Sequence, residues 1–348
     1  MDPVYLARPT LIAPDSISNA HYYIISAVIV SSISFLIISL LMPKTIKSLK
    51  SKGKVVEDFH KPGKPHIPRP AGPVLLVGIA AAEIVLYGLT LSNTVLAILL
   101  TTVIGFIVGI IDDRKTMPGL FKPLALVAAA IPIIVLGAHG NYLNLVFGSA
   151  FIPILYIPLI LVIIPVVGNT INSIDVLNGV ASGFVIIAMI PLLASVLLFG
   201  NAEAFLAGLP LLAGTIAFYR YHKYPSRIFP GDSGTLLMGA MLGAIAIAGK
   251  SEIIAVIALL PAVMNSFLFL SSMKKIVEHR EVRIRPTILT DDFKLMASKD
   301  KNAPVTLLRL ILSDGTLSEK EINQHILKLA IFSSILAFIS IYIQSIFI

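Results

Sequence analysis

Asp112 and Asp113 stand side by side where the apolar run 93 to 111 ends. Two adjacent carboxylates suit a divalent cation or a proton transfer, because Mg2+ takes oxygen ligands and usually completes its shell with substrate phosphates. A solvated helix end would look the same, so the pair alone leaves both readings open. Lys122 closes the same loop. The stretch NTINSIDVLNG (169 to 179) carries Asn169, Asn172, Asp175 and Asn178 at a spacing of three. On a helix these groups would drift round one face, although Asn178-Gly179 could be only a turn. In FPGDSG (229 to 234), Asp232 falls in a Gly-flanked turn expected directly before a helix. Backbone N–H groups at such a start favour anions, and Gly231 lets a phosphate come close. An N-cap role would also explain Asp232, but not the neighbouring Phe229 and Arg227. His279, Arg280, Arg283 and Arg285 fall within HREVRIRP (279 to 286). Arginine clusters grip phosphates bidentately, and the V-R-I-R alternation predicts a short strand or hairpin here. The segment DFHKPGKPHIPRPAGP (58 to 73) is basic and too rich in proline for helix, so it reads as a rigid loop. Asp58 and Lys61 within it are further substrate-binding candidates.

The elements that must position these groups follow from composition. The chain has 348 residues, 56% of them hydrophobic and 13% charged, and a mean hydropathy of +0.91, which matches a polytopic membrane protein. About 30 Å of hydrocarbon takes roughly 20 apolar residues as helix. Ten runs are candidates: 21 to 43, 71 to 91, 93 to 111, 123 to 138, 151 to 168, 180 to 199, 204 to 219, 235 to 250, 252 to 272 and 326 to 347. Alternating their direction gathers the loops 44–70, 112–122, 169–179, 220–234 and 273–325 on one face. Those loops hold 24 of the 27 Lys and Arg, leaving Arg8, Lys250 and Lys328. By the positive-inside rule that face is cytoplasmic and both termini are outside. The expected fold is an all-α polytopic membrane protein, one integral membrane domain over 1–348 with about ten transmembrane helices and its site at the cytoplasmic face.

The same charge bias accounts for the formal charge of +8 without nucleic acid. With no cysteine, disulfides and thiolate metal sites are excluded. The first run begins near His21 after a polar leader without an Ala-x-Ala pattern and reads as a retained span. Glu83, inside the second run, stays unassigned, and Pro153, Pro158, Pro165 and Pro261 are expected to kink their helices. A secondary transporter would share the helix count and the carboxylates, but should show internal repeats and midplane charges. Here the polar motifs crowd one face.

In the order and spacing of KPHIPRPAGP, the aspartate pair with Lys122, NTINSIDVLNG, FPGDSG and the His/Arg loop, the chain resembles the polyprenyl-phosphate N-acetylhexosamine-1-phosphate transferases, glycosyltransferase family 4. That superfamily includes the bacterial phospho-MurNAc-pentapeptide and undecaprenyl-phosphate GlcNAc-1-phosphate transferases and the eukaryotic UDP-GlcNAc:dolichyl-phosphate GlcNAc-1-phosphate transferase. YPSRIFPGD and the long last loop look closer to the dolichol branch, in an archaeal version. The bacterial triple-histidine motif is absent. The resemblance implies transfer of GlcNAc-1-phosphate from UDP-GlcNAc to dolichyl (polyprenyl) phosphate for N-glycosylation. It implies Mg2+, with Mn2+ as a substitute, and membrane lipid as a partner; a homodimer is left open. It implies that Asp232, Asn178 and Asp175 hold the metal and that Lys122 touches the diphosphate. Phe229 would stack on uracil, His279 and Arg280 would bind phosphates with Arg283 and Arg285, and Asp112 and Asp113 form the essential acidic pair. Val176 stands where the family has glycine after Asp175.

Overall fold

The computed structural model describes residues 16–115, 117–274 and 282–347. All ten predicted spans are helical. Eight are long and apolar enough to cross a bilayer: α1 (Ser16–Ser51), α2 (Gly72–Thr90), α3 (Asn93–Arg114), α5 (Pro153–Ile174), α6 (Val180–Phe199), α7 (Ala202–His222), α8 (Gly231–Ala248) and α12 (Glu319–Phe347). A short apolar helix, α4 (Phe121–Val135), stands where the fourth span was expected. The ninth is broken into α9 (Glu252–Ala258) and α10 (Leu260–Met273), bent by 74°. The break falls at Leu259, one residue before α10 starts with Pro261 in its first turn. A proline there lacks the N–H that would continue the ladder. Pro153 likewise opens its helix instead of kinking it.

Local signals fix several helix starts. Ser92 caps α3 by accepting from Thr94 N, and Asn201 caps α7 by accepting from Ala204 N. Ser318 and Glu321 form a reciprocal capping box on α12. Three antiparallel hairpins complete the structure: β1 (Val55–Glu57) with β2 (His66–Pro68), β3 (Tyr142–Leu145) with β4 (Gly148–Phe151), and β5 (Thr287–Leu289) with β6 (Leu295–Ala297). The last loop therefore has its hairpin, but past the V-R-I-R stretch that predicted it. The Pro-rich loop contains a hairpin of its own.

The bundle is built around α8, every residue of which is buried. Its sequence GDSGTLLMGAMLGAIAIA supplies small residues that let neighbouring backbones approach, the usual basis of helix packing in lipid. A Cβ at Gly239 would stand 2.7 Å from Gly168 Cα of α5, and one at Gly105 of α3 2.7 Å from Ala240 Cβ. Where α3 passes the start of α8, a Cβ on Gly109 would overlap the Asp232 carbonyl oxygen and Ser233 Cα.

Candidate active site at one end of the bundle

The helices run further into the predicted loops than the apolar runs suggested. Asp112 and Asp113 belong to the last turn of α3, Lys122 to the first turn of α4, and Asn169 and Asn172 to the last turns of α5. Asp232 sits in the first turn of α8, not in a turn ahead of it. Hydrophobicity ends at the edge of the apolar slab, whereas the helical hydrogen-bond ladder continues until a cap or a glycine stops it.

These ends meet. Lys122 Nζ lies 2.9 Å from Asp112 Oδ2 and 2.9 Å from Asp232 Oδ1. Asp112 Oδ1 accepts from Met117 N at 2.9 Å. Asp113 is tied to α8: its Oδ1 accepts from Asp232 N and its Oδ2 from Ser233 N, each at 2.9 Å. The carboxylate thus meets the orphan N–H groups and the positive end of the helix dipole. Gly231 permits this, with φ +72 and no room for a Cβ, which would lie 2.5 Å from Pro70 Cβ and 2.8 Å from Asp113 Oδ2. Arg69, absent from the sequence-based candidates, donates to Asp113 Oδ1 at 3.0 Å and to Asp232 Oδ2 at 2.5 Å. Its only sequence signal was its place in the Pro-rich motif. Asn172 Oδ1 accepts from Thr235 Oγ1 at 2.7 Å, fastening α5 to α8.

Asp175 caps the C-terminus of α5, with its side chain 19% exposed and its Oδ1 3.6 Å from His222 Nε2. Burial pushes its carboxyl up to about 7; Asp232 and Asp113 add to the rise, and the Arg69 guanidinium opposes it. Arg69, Lys122, Asn172, Asp175, Phe229 and Asp232 line the polar end of a cavity of about 730 Å3, and Asp112 and Asp113 reach it only through the cations they hold. Its other wall is apolar, with Pro165 and Val166 of α5, Phe269 and Leu270 of α10, and Leu308. Val166 and Leu270 in that wall are exposed, so the cavity is open along its apolar side.

Two candidates take up other duties. Lys61 does not line the cavity: its ammonium is held by Asp58 (a very short contact), by Asn178 Oδ1 at 2.7 Å and by Glu319 Oε2 at 3.0 Å, with the Tyr224 ring 4.9 Å away. An ammonium already neutralised by two carboxylates is a fastener between loop and helix, not a phosphate ligand. Asn178 is the hub beside it. Its Oδ1 accepts from Lys61 and from Ser226 N (2.6 Å), and its Nδ2 donates to Asp58 at 3.1 Å. Its backbone N–H donates to Glu319 at 2.8 Å, and its carbonyl accepts from Asn323 at 2.6 Å. Both lone pairs of the side-chain oxygen are therefore in use. Glu319 and Asn323, the α12 half of this network, gave no signal in sequence beyond lying near the last long loop. Asp58 and Gly231 line the cavity. Arg283 and Arg285 are exposed and do not line it, and His279 and Arg280 lie outside the described residues.

Residues 95–250 match the family profile described as glycosyl transferase family 4. A phospho-N-acetylmuramoyl-pentapeptide-transferase of Limosilactobacillus reuteri is 31% identical over 245 residues, covering 64% of this chain and 75% of that protein. The chain belongs to glycosyl transferase family 4. It is also 27% identical over 300 residues, 83% of this chain and 89% of the relative, to a Saccharolobus solfataricus protein provisionally named UDP-N-acetylglucosamine–dolichyl-phosphate N-acetylglucosaminephosphotransferase. A Sulfolobus acidocaldarius protein with the same provisional name is 27% identical over 234 residues, 64% of this chain and 71% of that one. The family match runs from α3 to just past α8 and so contains the aspartate pair, Lys122, Asn172, Asp175, Asn178, Phe229 and Asp232. Arg69, Asp58, Lys61 and Glu319 join this family core from segments outside it. Membership and the apolar helices together make this an integral membrane glycosyltransferase.

Proposed function

We propose that this protein transfers GlcNAc-1-phosphate from UDP-GlcNAc to dolichyl (polyprenyl) phosphate at the cytoplasmic face, giving polyprenyl-diphosphate-GlcNAc and UMP. The observation that carries the reading is the cavity itself. Asp175 and Asp232 line its polar end with Arg69 and Lys122, whose other partners are Asp113 and Asp112, and an apolar wall runs from there along an open side of the cavity. That is the shape needed by a charged headgroup reacting while its hydrocarbon chain stays in lipid. The names of the archaeal relatives support the sugar and the acceptor.

A lipid phosphate oxygen forms a bond to the sugar-linked phosphorus of UDP-GlcNAc, the phosphoanhydride bond to UMP breaks, and UMP carries away that electron pair. Such a transfer needs mainly positioning and charge neutralisation. The carboxylates of Asp232 and Asp175 beside a diphosphate would repel it, so the donor set fits a divalent cation, Mg2+ or Mn2+, which their oxygens would hold together with the substrate. When bound, it would neutralise the diphosphate and polarise the reacting phosphorus. Lys122 and Arg69 are placed to hold phosphoryl oxygens, and Phe229 offers a ring to the base. Asp113 seats the start of α8, and Asp112 orients Lys122. The acceptor, a phosphate monoester with a second pKa near 6, is already mostly dianionic at pH 7. A general base is therefore not required. Purified protein with Mg2+, polyprenyl phosphate and a panel of UDP-sugars should release UMP with UDP-GlcNAc and dolichyl phosphate. Release only with UDP-MurNAc-pentapeptide would move it to the bacterial branch, and release with none would end the proposal.

A further inference from the structure

On the far side of Asn178 from the active-site cavity lies a second pocket of about 180 Å3, between the start of α6, the end of α7 and the start of α12. Asn178 lines both. Lys223, Lys320, Tyr219, Tyr224, Asn323 and Leu327 are among its walls. Among the described residues neither lysine has an ion-pair partner, so two positive charges face this space unneutralised. The starts of α6 and α12 turn the positive ends of their dipoles this way, opposed by the C-terminal end of α7. Asn323 is 7% exposed; its Nδ2 donates to the Asn178 carbonyl, and its Oδ1 has no hydrogen-bond partner among the described residues. From Leu327 one face of α12 continues through Ile331 and Ile335, 49% and 51% exposed, down the lipid-facing side of the bundle.

Two free ammonium groups with an apolar stripe beneath them suit one chemical class. We propose that this pocket binds the headgroup of an anionic membrane phospholipid. Its phosphate lies between Lys223 and Lys320, and its hydrocarbon chains lie along Leu327, Ile331 and Ile335. The lipid braces Asn323 and, through it, the Asn178 wall that the two cavities share. It is a site separate from the sugar-transfer cavity and from the acceptor lipid. A free phosphomonoester shares the headgroup chemistry but would leave the apolar stripe unused.

The test is native mass spectrometry of delipidated full-length protein in detergent, titrated with phosphatidylglycerol or phosphatidylcholine. Phosphatidylglycerol should be retained on the order of tenfold more tightly than phosphatidylcholine, and the Lys223→Gln/Lys320→Gln variant should lose that preference. Both lysines are exposed, and a circular-dichroism melt of the variant checks that it folds. Equal retention of the two lipids by the unaltered protein, or undiminished phosphatidylglycerol on a folded double variant, would overturn the site. Displacement of the lipid by an equal concentration of glycerol phosphate would overturn its assignment to lipid. Because the readout is bound mass, failure here leaves the sugar-transfer reading standing.

Discussion

Replacing Asp113 by asparagine separates a positioning role from a chemical one. The side chain is 4% exposed, and its carboxylate accepts two N–H groups from the first turn of α8 and one from Arg69. Asparagine keeps the shape but retains only one acceptor oxygen, and its NH2 must face a backbone donor or the guanidinium. A hydrogen bond to a charged group contributes about 1.5–3 kcal/mol, and the interaction with the helix dipole up to about 2 kcal/mol. The start of α8 should therefore lose roughly 3 kcal/mol of restraint, about a hundredfold in the population that holds Asp232 in place. In a UMP-release assay with both substrates saturating, Asp113→Asn should lower kcat about a hundredfold, and its thermal unfolding in detergent should begin several degrees lower. Its pH–rate profile from 6.5 to 9 should run parallel to that of the unaltered protein. If instead the variant melts normally and its activity climbs back as pH rises, Asp113 is a proton acceptor and the reasoning fails.

Lys61→Met strands Asp58 and Glu319 as buried carboxylates without a counter-charge, a loss of about 3–5 kcal/mol. A large fall in unfolding temperature, partly restored by adding Glu319→Gln, is expected, with KM for UDP-GlcNAc nearly unchanged; a selective rise in KM would return Lys61 to the substrate. Asp175, whose carboxyl sits near 7, must lose its proton to take a cation, so the Mg2+ concentration giving half-maximal rate should fall as pH rises from 6 to 8. Asp175→Asn should flatten that dependence, and an unchanged slope would remove Asp175 from the ion. Without the ion the sign for stability is opposite: a carboxyl raised from about 4 to about 7 holds its proton more firmly when folded, so stability declines as pH rises across that interval. Gly109→Ala forces α3 away from Asp232 and Ser233 and should abolish transfer while the distant α6–α7 packing survives, as read by limited proteolysis.

The spans were legible because the bilayer sets both their composition and their length. What composition could not give was where each helix ends. Asn169, Asn172 and Asp232 lie beyond their apolar runs, yet they belong to the helices, because they face a polar cavity inside the bundle instead of water beyond it. The bend between α9 and α10 was hidden as well, since the run from 252 to 272 is predominantly apolar on both sides of residue 259 and only Pro261 hints at a break. At the site, residue types pointed to the right segments but not to partners. Nothing local to Lys61 shows that Glu319, 258 positions away, will neutralise it. Arg69 was read as one more charge in a Pro-rich loop, although it reaches two of the site's carboxylates.

The adjacency of Asp112 and Asp113 follows from where their neighbours stand. Consecutive residues on an α-helix point about 100° apart, so two carboxylates in the last turn of α3 address two different helices: Asp112 meets Lys122 of α4, and Asp113 meets the backbone of α8. A single acid could serve one of these but not both. Gly109, one turn earlier, lets α3 lie against α8 closely enough for the second contact. Asp232 then stands between Lys122 and Arg69, each of which it holds. A diphosphate entering the cavity must win those two cations away from Asp232, and it can do so only if the carboxylate gains another positive partner at the same time. Because both Asp232 and the diphosphate are negative, ion and nucleotide should bind cooperatively: each should tighten the other by the same factor, and Asp232→Asn should abolish that factor while leaving the fold, which rests on Asp113 and Gly109, in place.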